Sequence, residues 1–231
     1  MNLSESRKHD RLFSGVADEV STRVYNLFLG GTVLYGLLAN FFICYIVGDR
    51  ASQLNPIALI IGYFVCCFAG IMMSSKSDNP IISFIGYNLV VIPVGLVMSI
   101  SISAYVKEGM GALIPQAVLV TASVTTIMIG LSLAFPDFFS KLGGVLFSSL
   151  IALIVVELVA LIFFPGALHI IAWAGAGIFS MYIGYDFWKA QEYPKTIDNA
   201  VDSAVDIYLD IINLFLYILE ILSDSKSSKK E

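Results

Sequence analysis

Charge is the first thing this sequence lacks. Of 231 residues only 13% are Asp, Glu, Lys or Arg, about half the share in soluble chains, whereas 58% are hydrophobic and mean hydropathy is +0.84. So little charge excludes a water-soluble globule, and the chain is read as an integral membrane protein. Basic residues never gather into a block, and 13 Lys and Arg against 18 Asp and Glu leave a net charge of −5, which excludes nucleic acid as a partner. Cysteine is equally scarce. Cys44, Cys66 and Cys67 lie inside apolar runs with no CxxC pair, which excludes a disulfide framework and a zinc site and leaves them as small buried hydrophobes. The polar leader, residues 1–26, has no apolar stretch ending in a small-residue cleavage site, so no cleaved signal peptide is expected and the first apolar run serves as the targeting signal.

Long apolar runs are what the chain has in plenty. A helix needs about 20 apolar residues to cross the hydrocarbon core. Six runs qualify, at 27–47, 57–73, 81–106, 113–135, 145–164 and 167–186, joined by connections short enough to make consecutive helices antiparallel neighbours. Gly30, Gly31, Gly36, Gly175 and Gly177 allow close helix packing, and Pro93 and Pro115 interrupt otherwise helical runs. The division expected is a leader (1–26), one transmembrane domain (27–222) and a polar tail (223–231).

A seventh segment, 204–222, is odd, because Asp206, Asp210, Asn213 and Glu220 punctuate an apolar 19-mer. A mid-span Asp costs about 2.5–3.5 kcal/mol, and a Leu, Ile or Phe returns only about 0.3–0.6. The segment therefore either spans while sheltered from lipid by the other six, or dips in and returns. Counting Lys and Arg with the leader inside gives 8 inside against 5 outside for seven crossings, and 11 against 2 for a re-entrant seventh segment. Both counts put the leader in the cytosol.

Polar residues recur at Asn199, Asp202, Asp206, Asp210, Asn213, Tyr217, Glu220 and Asp224, in steps of three and four that place them on one helical face. In a membrane protein such a stripe turns toward the bundle axis or a water-filled cavity. Asp198 and Asp202 precede the apolar run and are read as helix-capping or solvated. Asp186 closes the sixth run, on the side from which Asp210 begins its descent one to three turns into the seventh, so the two carboxylates can meet. Two carboxyls in a poorly hydrated site cannot both ionise cheaply, and such a pair titrates in coupled steps. Satisfaction of each Asp by hydroxyls such as Tyr185 or Tyr208 is the alternative. Glu157 is the other ionisable group in mid-span, a candidate for the cation pathway or for a hydrogen-bonded structural role, and His169 is read as interfacial.

The stretch 199–222, NAVDSAVDIYLDIINLFLYILEIL, together with Gly184-Tyr185-Asp186, resembles the terminal signature of the Bax inhibitor family of membrane proteins, the two aspartates standing 24 residues apart. Asn79-Pro80 and the PDFFSKLGG loop extend the likeness more weakly. The resemblance implies an all-α bundle of six helices around a central acidic seventh. It also implies a pH-dependent calcium leak channel with Asp186 and Asp210 as proton sensor and transient calcium ligands, Asp202, Asp206, Asn213 and Glu157 along the path, and no cofactor. The membrane would be the plasma membrane of a prokaryote or the endoplasmic reticulum of a eukaryote. Some members latch the first aspartate with an arginine at the end of the second helix. Here GIMMSSKSDNP has none, and Lys76, which lacks the bidentate fork, is the nearest cation.

Two other classes compete. A regulatory protein that binds a membrane protease or a cell-death partner would not need its aspartates. An intramembrane aspartyl protease would use Tyr185-Asp186 and Asp210, but its second aspartate follows Gly-x-Gly, where this chain has Ile207-Tyr208-Leu209.

Overall fold

The computed structural model describes residues 19–227 and is helical throughout, with no strand among those residues. Seven long helices follow one another: α1 (Thr22–Val47), α2 (Pro56–Lys76), α3 (Pro80–Lys107), α4 (Leu113–Ala134), α5 (Gly143–Phe163), α6 (Leu168–Glu192) and α7 (Ile197–Ser227). Short helical turns fill three connections, at Gly48–Gln53, Pro136–Phe139 and Pro165–Ala167.

The starts of the helices are written in local chemistry. Ser21 accepts from the Val24 N–H, Asn55 from Ile57 and Ala58, and Asn79 from Ile81. Pro56 and Pro80 take the first helical position, where the missing N–H costs nothing. Pro93 lies inside α3 without ending it, and Pro115 sits in the first turn of α4, so it does not interrupt that helix. Predicted leader residues from Thr22 on are already helical, and α7 runs into the predicted tail. Leader residues 1–18, with Arg7, Lys8 and Arg11, and tail residues 228–231, with Lys229 and Lys230, lie outside the described residues.

Six helical segments are long and apolar enough to cross a bilayer, one for each of the six predicted runs. Their outward faces carry large exposed hydrophobics such as Phe41, Phe64, Leu119, Phe147, Ile162 and Trp173, surfaces that only lipid can cover. α7 is not among the six. It is instead deeply enclosed, Ser225 being its one exposed residue up to Lys226.

Contacts group the chain into two compact units. One holds α1, α2 and α3 with Ala190–Tyr208; the other holds α4, α5 and α6 up to Lys189, with the chain from Leu209 onward. In the first, α2 and α3 cross where a Cβ on Gly70 would run into the Gly86 carbonyl, so both helices need glycine for their backbones to touch. Gly36 is pressed by the rings of Tyr87 and Tyr208, whereas Gly30 and Gly31 have open space around them. In the second, Gly143 faces Tyr185, Gly184 faces Phe139 and Gly175 faces Tyr217, while Gly177 has nothing near it. The glycines expected to matter are thus only partly those that do.

Candidate functional site

The first half of α7 carries its acids into the first unit. Thr196 caps the helix, its hydroxyl accepting from the Asn199 N–H at 3.1 Å. Both are buried, not solvated as the sequence suggested. Ser83 Oγ of α3 donates to Asp198 at 2.7 Å, and Ser74 Oγ of α2 donates to Asp202. Ser83 Oγ also lies 3.4 Å from the Ser74 carbonyl, so the two pairs are neighbours. Farther along, Asn40 Nδ2 donates to Tyr208 Oη at 2.5 Å, and Tyr87 Oη donates to the Thr32 carbonyl at 3.0 Å. Tyr208 is therefore engaged by α1. Asp206 is half-buried on the same helix.

The α6–α7 turn is fastened to the start of α1 within this unit. Tyr25 Oη donates to the Ala190 carbonyl at 2.8 Å, the Val20 N–H to the Lys195 carbonyl at 2.7 Å, and Gln191 to Asn26 at 3.0 Å. Lys195 Nζ donates to the Gln191 carbonyl at 2.5 Å, capping the C-terminus of α6, and lies 4.6 Å over the Tyr25 ring. Burial pushes this ammonium below the ordinary lysine range.

The second half of α7 belongs to the other unit, and so does Asp186. Asp186 does not end its helix: α6 continues six residues to Glu192, and α7 starts at Ile197, seven residues ahead of the apolar segment expected from 204, so that Asp210 lies 13 residues beyond the helix start. Both carboxylates are buried, at 7% and 6% exposure. Tyr182, one turn before Asp186, is close enough to both to feel each charge. The cation on Asp186 is Lys189, 3.2 Å away and one turn later on α6. Lys76, the nearest cation to the family's latch position, is exposed at the end of α2 and makes no ion pair among the described residues. The i,i+3 spacing of Asp186 and Lys189 places the two on one face of α6, a signal present in the sequence.

Glu157 finds a partner the sequence did not name. Tyr217 Oη of α7 donates to its Oε1 at 2.5 Å, and the Tyr217 ring stacks on Phe179 with centroids 5.7 Å apart. Asn213 turns back to its own helix, Nδ2 donating to the Leu209 carbonyl at 2.8 Å. The predicted polar face thus resolves into Asp198 and Asp202 bonded by serines in one unit, and Asp210 and the Tyr217–Glu157 pair at separate levels of α7 in the other. Among the described residues, no three His, Cys, Asp or Glu side chains gather into a group able to hold a metal.

A buried carboxylate face on an enclosed helix, within an apolar helical chain, defines a multi-pass membrane protein with an ionisable interior. A family model described as "Inhibitor of apoptosis-promoting Bax1" matches residues 17–228, and the chain belongs to this Bax inhibitor family. Bax inhibitor 1 of Schizosaccharomyces pombe is 28% identical over 207 residues, 87% of this chain and 74% of that one. A BI1-like protein of Arabidopsis thaliana is 34% identical over 143 residues, 58% of this chain and 53% of that one. An uncharacterized protein of Helicobacter pylori is 37% identical over 118 residues, half of each chain. The aligned part thus spans about half the length of several of these relatives.

Proposed function

We propose that the protein is a pH-dependent cation leak with calcium as its cargo, in which Asp186 and Asp210 are the proton sensor. The observation that carries this reading is the burial of both carboxylates on α6 and α7 within one compact unit, with Tyr182 feeling both charges. Two such groups in a poorly hydrated site compete for ionisation. When both are charged they attract a divalent cation, and each proton bound removes part of that attraction. Calcium takes six to eight oxygens in a resident site, so two carboxylates plus water suit an ion that must leave again. Asp202, Asp206 and Asn213 continue the polar face, and α7 crosses the membrane in this reading, with its acids sheltered from lipid. The N-terminus is cytosolic by the positive-inside rule, and Lys189 steadies the ionised form of Asp186 in the role first given to Lys76.

Calcium flux into liposomes holding the purified protein, measured at several pH values, tests this reading. Wild type should give a flux that falls as pH falls, and Asp210→Asn should weaken and flatten that response, with Asp186→Asn altering it too. Identical pH profiles in all three, or no flux above empty liposomes from folded protein, would refute it. The latter outcome would favour a role exerted through binding a membrane-protein partner, for which the aspartates are dispensable.

A further inference from the structure

Gly175, Phe179, Tyr182 and Asp186 share one face of α6, in steps of four, three and four, and Asp210, Asn213, Tyr217 and Glu220 share one face of α7, in steps of three, four and three. All eight lie in the second unit. Tyr182 stands one turn before Asp186 at one end of these faces. About 10 Å farther along α7, two turns past Asp210, stands Tyr217.

The Tyr217 ring is fixed from three sides. Phe179 stacks on it at an interplanar angle of 26°. Gly175 leaves room for its edge, since a Cβ there would lie 2.6 Å from the Tyr217 ring carbons. Glu157, from α5, accepts its hydroxyl at 2.5 Å. A phenol laid across three helices in the middle of a polar line has an evident use, because nothing about packing alone requires its one polar atom to be met by a mid-span carboxylate. An apolar residue at 217 would fill the same volume and would not oblige Glu157 to enter the membrane, where its insertion is unfavourable.

We propose that Tyr217 is a second barrier on the polar line beyond Asp210, with Glu157 as its positioning residue. The inference rests on the cation-leak reading and deepens it: the aspartates answer to protons, and the Tyr217 ring closes the line to ions and water on the Glu220 side. Glu157 then acts through Tyr217 and not as a ligand of the passing ion.

Two measurements on the full chain separate this inference from its parent. The first uses protein whose native cysteines Cys44, Cys66 and Cys67 are replaced by alanine and whose Asn213, between Asp210 and Tyr217, is changed to cysteine. In liposomes, a charged methanethiosulfonate reagent is added on the Glu220 side of α7. With Tyr217 present labelling should be slow, and Tyr217→Ala should speed it about tenfold. Tyr217→Phe, which loses only the hydrogen bond, and Glu157→Leu, which removes the acceptor carboxylate, should speed it about threefold to tenfold. Glu157→Gln keeps an acceptor oxygen and should label as slowly as the parent. Equal labelling rates across the set would overturn the barrier.

The second measurement is calcium flux in the native-cysteine background. Tyr217→Ala should raise flux severalfold at every pH without moving the midpoint of the pH response, a midpoint that Asp210→Asn alters. A pH-dependent wild-type flux that Tyr217→Ala leaves unchanged would overturn the barrier while sparing the aspartate sensor. Faster labelling with no calcium flux in any variant would uphold the barrier and overturn the calcium reading.

Discussion

The pairing of Ser74 with Asp202 allows a quantitative test of how α7 is held in the first unit. Asp202 is only 5% exposed and accepts a hydrogen bond from the Ser74 hydroxyl of α2. Interhelical polar pairs in membranes average about 0.6 kcal/mol and reach about 1.7. Bonds to a charged partner are stronger, about 1.5–3 kcal/mol. A buried carboxylate acceptor belongs at the upper end of the first range, so a double-mutant cycle of Ser74→Ala and Asp202→Ala, each of which removes one partner of the bond, should give a coupling of about 1.5 kcal/mol. At about 2–4 °C per kcal/mol for a chain of this size, Ser74→Ala should lower the melting temperature by about 3–6 °C. The native thiols provide the readout: Cys44, Cys66 and Cys67 are all half-buried, so a thiol-reactive dye reports unfolding in detergent as they become exposed. Additive effects of the two substitutions, with no coupling beyond about 0.3 kcal/mol, would refute the claim that this bond holds α7 against α2. The same cycle on Ser83 and Asp198 serves as an internal comparison, since that bond is of ordinary length at 2.7 Å.

Three further outcomes are expected. Gly70→Ala should destabilise the protein by about 1–3 kcal/mol, because its Cβ meets the Gly86 backbone, whereas Gly62→Ala, with open space around it, should be neutral or stabilising; thermal melts of the two variants check this. Lys189→Met removes the cation 3.2 Å from Asp186 and so makes protonation of the site easier. In the flux assay its midpoint should therefore move to higher pH; an unmoved midpoint would separate this ion pair from proton sensing. Tyr25→Phe removes the bond to the Ala190 carbonyl and should loosen the α6–α7 turn by about 1 kcal/mol, seen as faster amide hydrogen exchange at residues 191–196.

Much of the architecture was legible before any coordinates. Each of the six apolar runs became a helix, with ends within three residues of those expected apart from the start of α1 and the end of α6, because a run of about 20 apolar residues has no other way to satisfy its backbone in lipid. The α6 end was missed because the hydropathy falls away at Asp186 while the helix, with Lys189 near its last turn, carries on beyond the apolar stretch. Asp198 and Asp202 were misjudged as solvated for a related reason: their position ahead of the apolar run says nothing about which serines lie across from them. Tyr217 entered the sequence reading only as a member of the polar stripe, and Glu157 had no partner there.

Composition and period, then, determined by themselves that this chain is a multi-pass membrane protein and that its last helix carries a single acidic face, since both follow from the transfer free energies of individual side chains and from 3.6 residues per turn. Only the tertiary structure decided how that face is used. It gave Asp202 and Asp198 to serines of α2 and α3, put Lys189 on Asp186 in place of Lys76, and laid Tyr217 against Gly175 and Glu157. Apart from Asp186 and Lys189, one turn apart on α6, those pairings join residues of different helices up to 128 positions apart, and which side chains meet across helices is fixed by packing at close approach, a property of the folded chain that no local periodicity encodes.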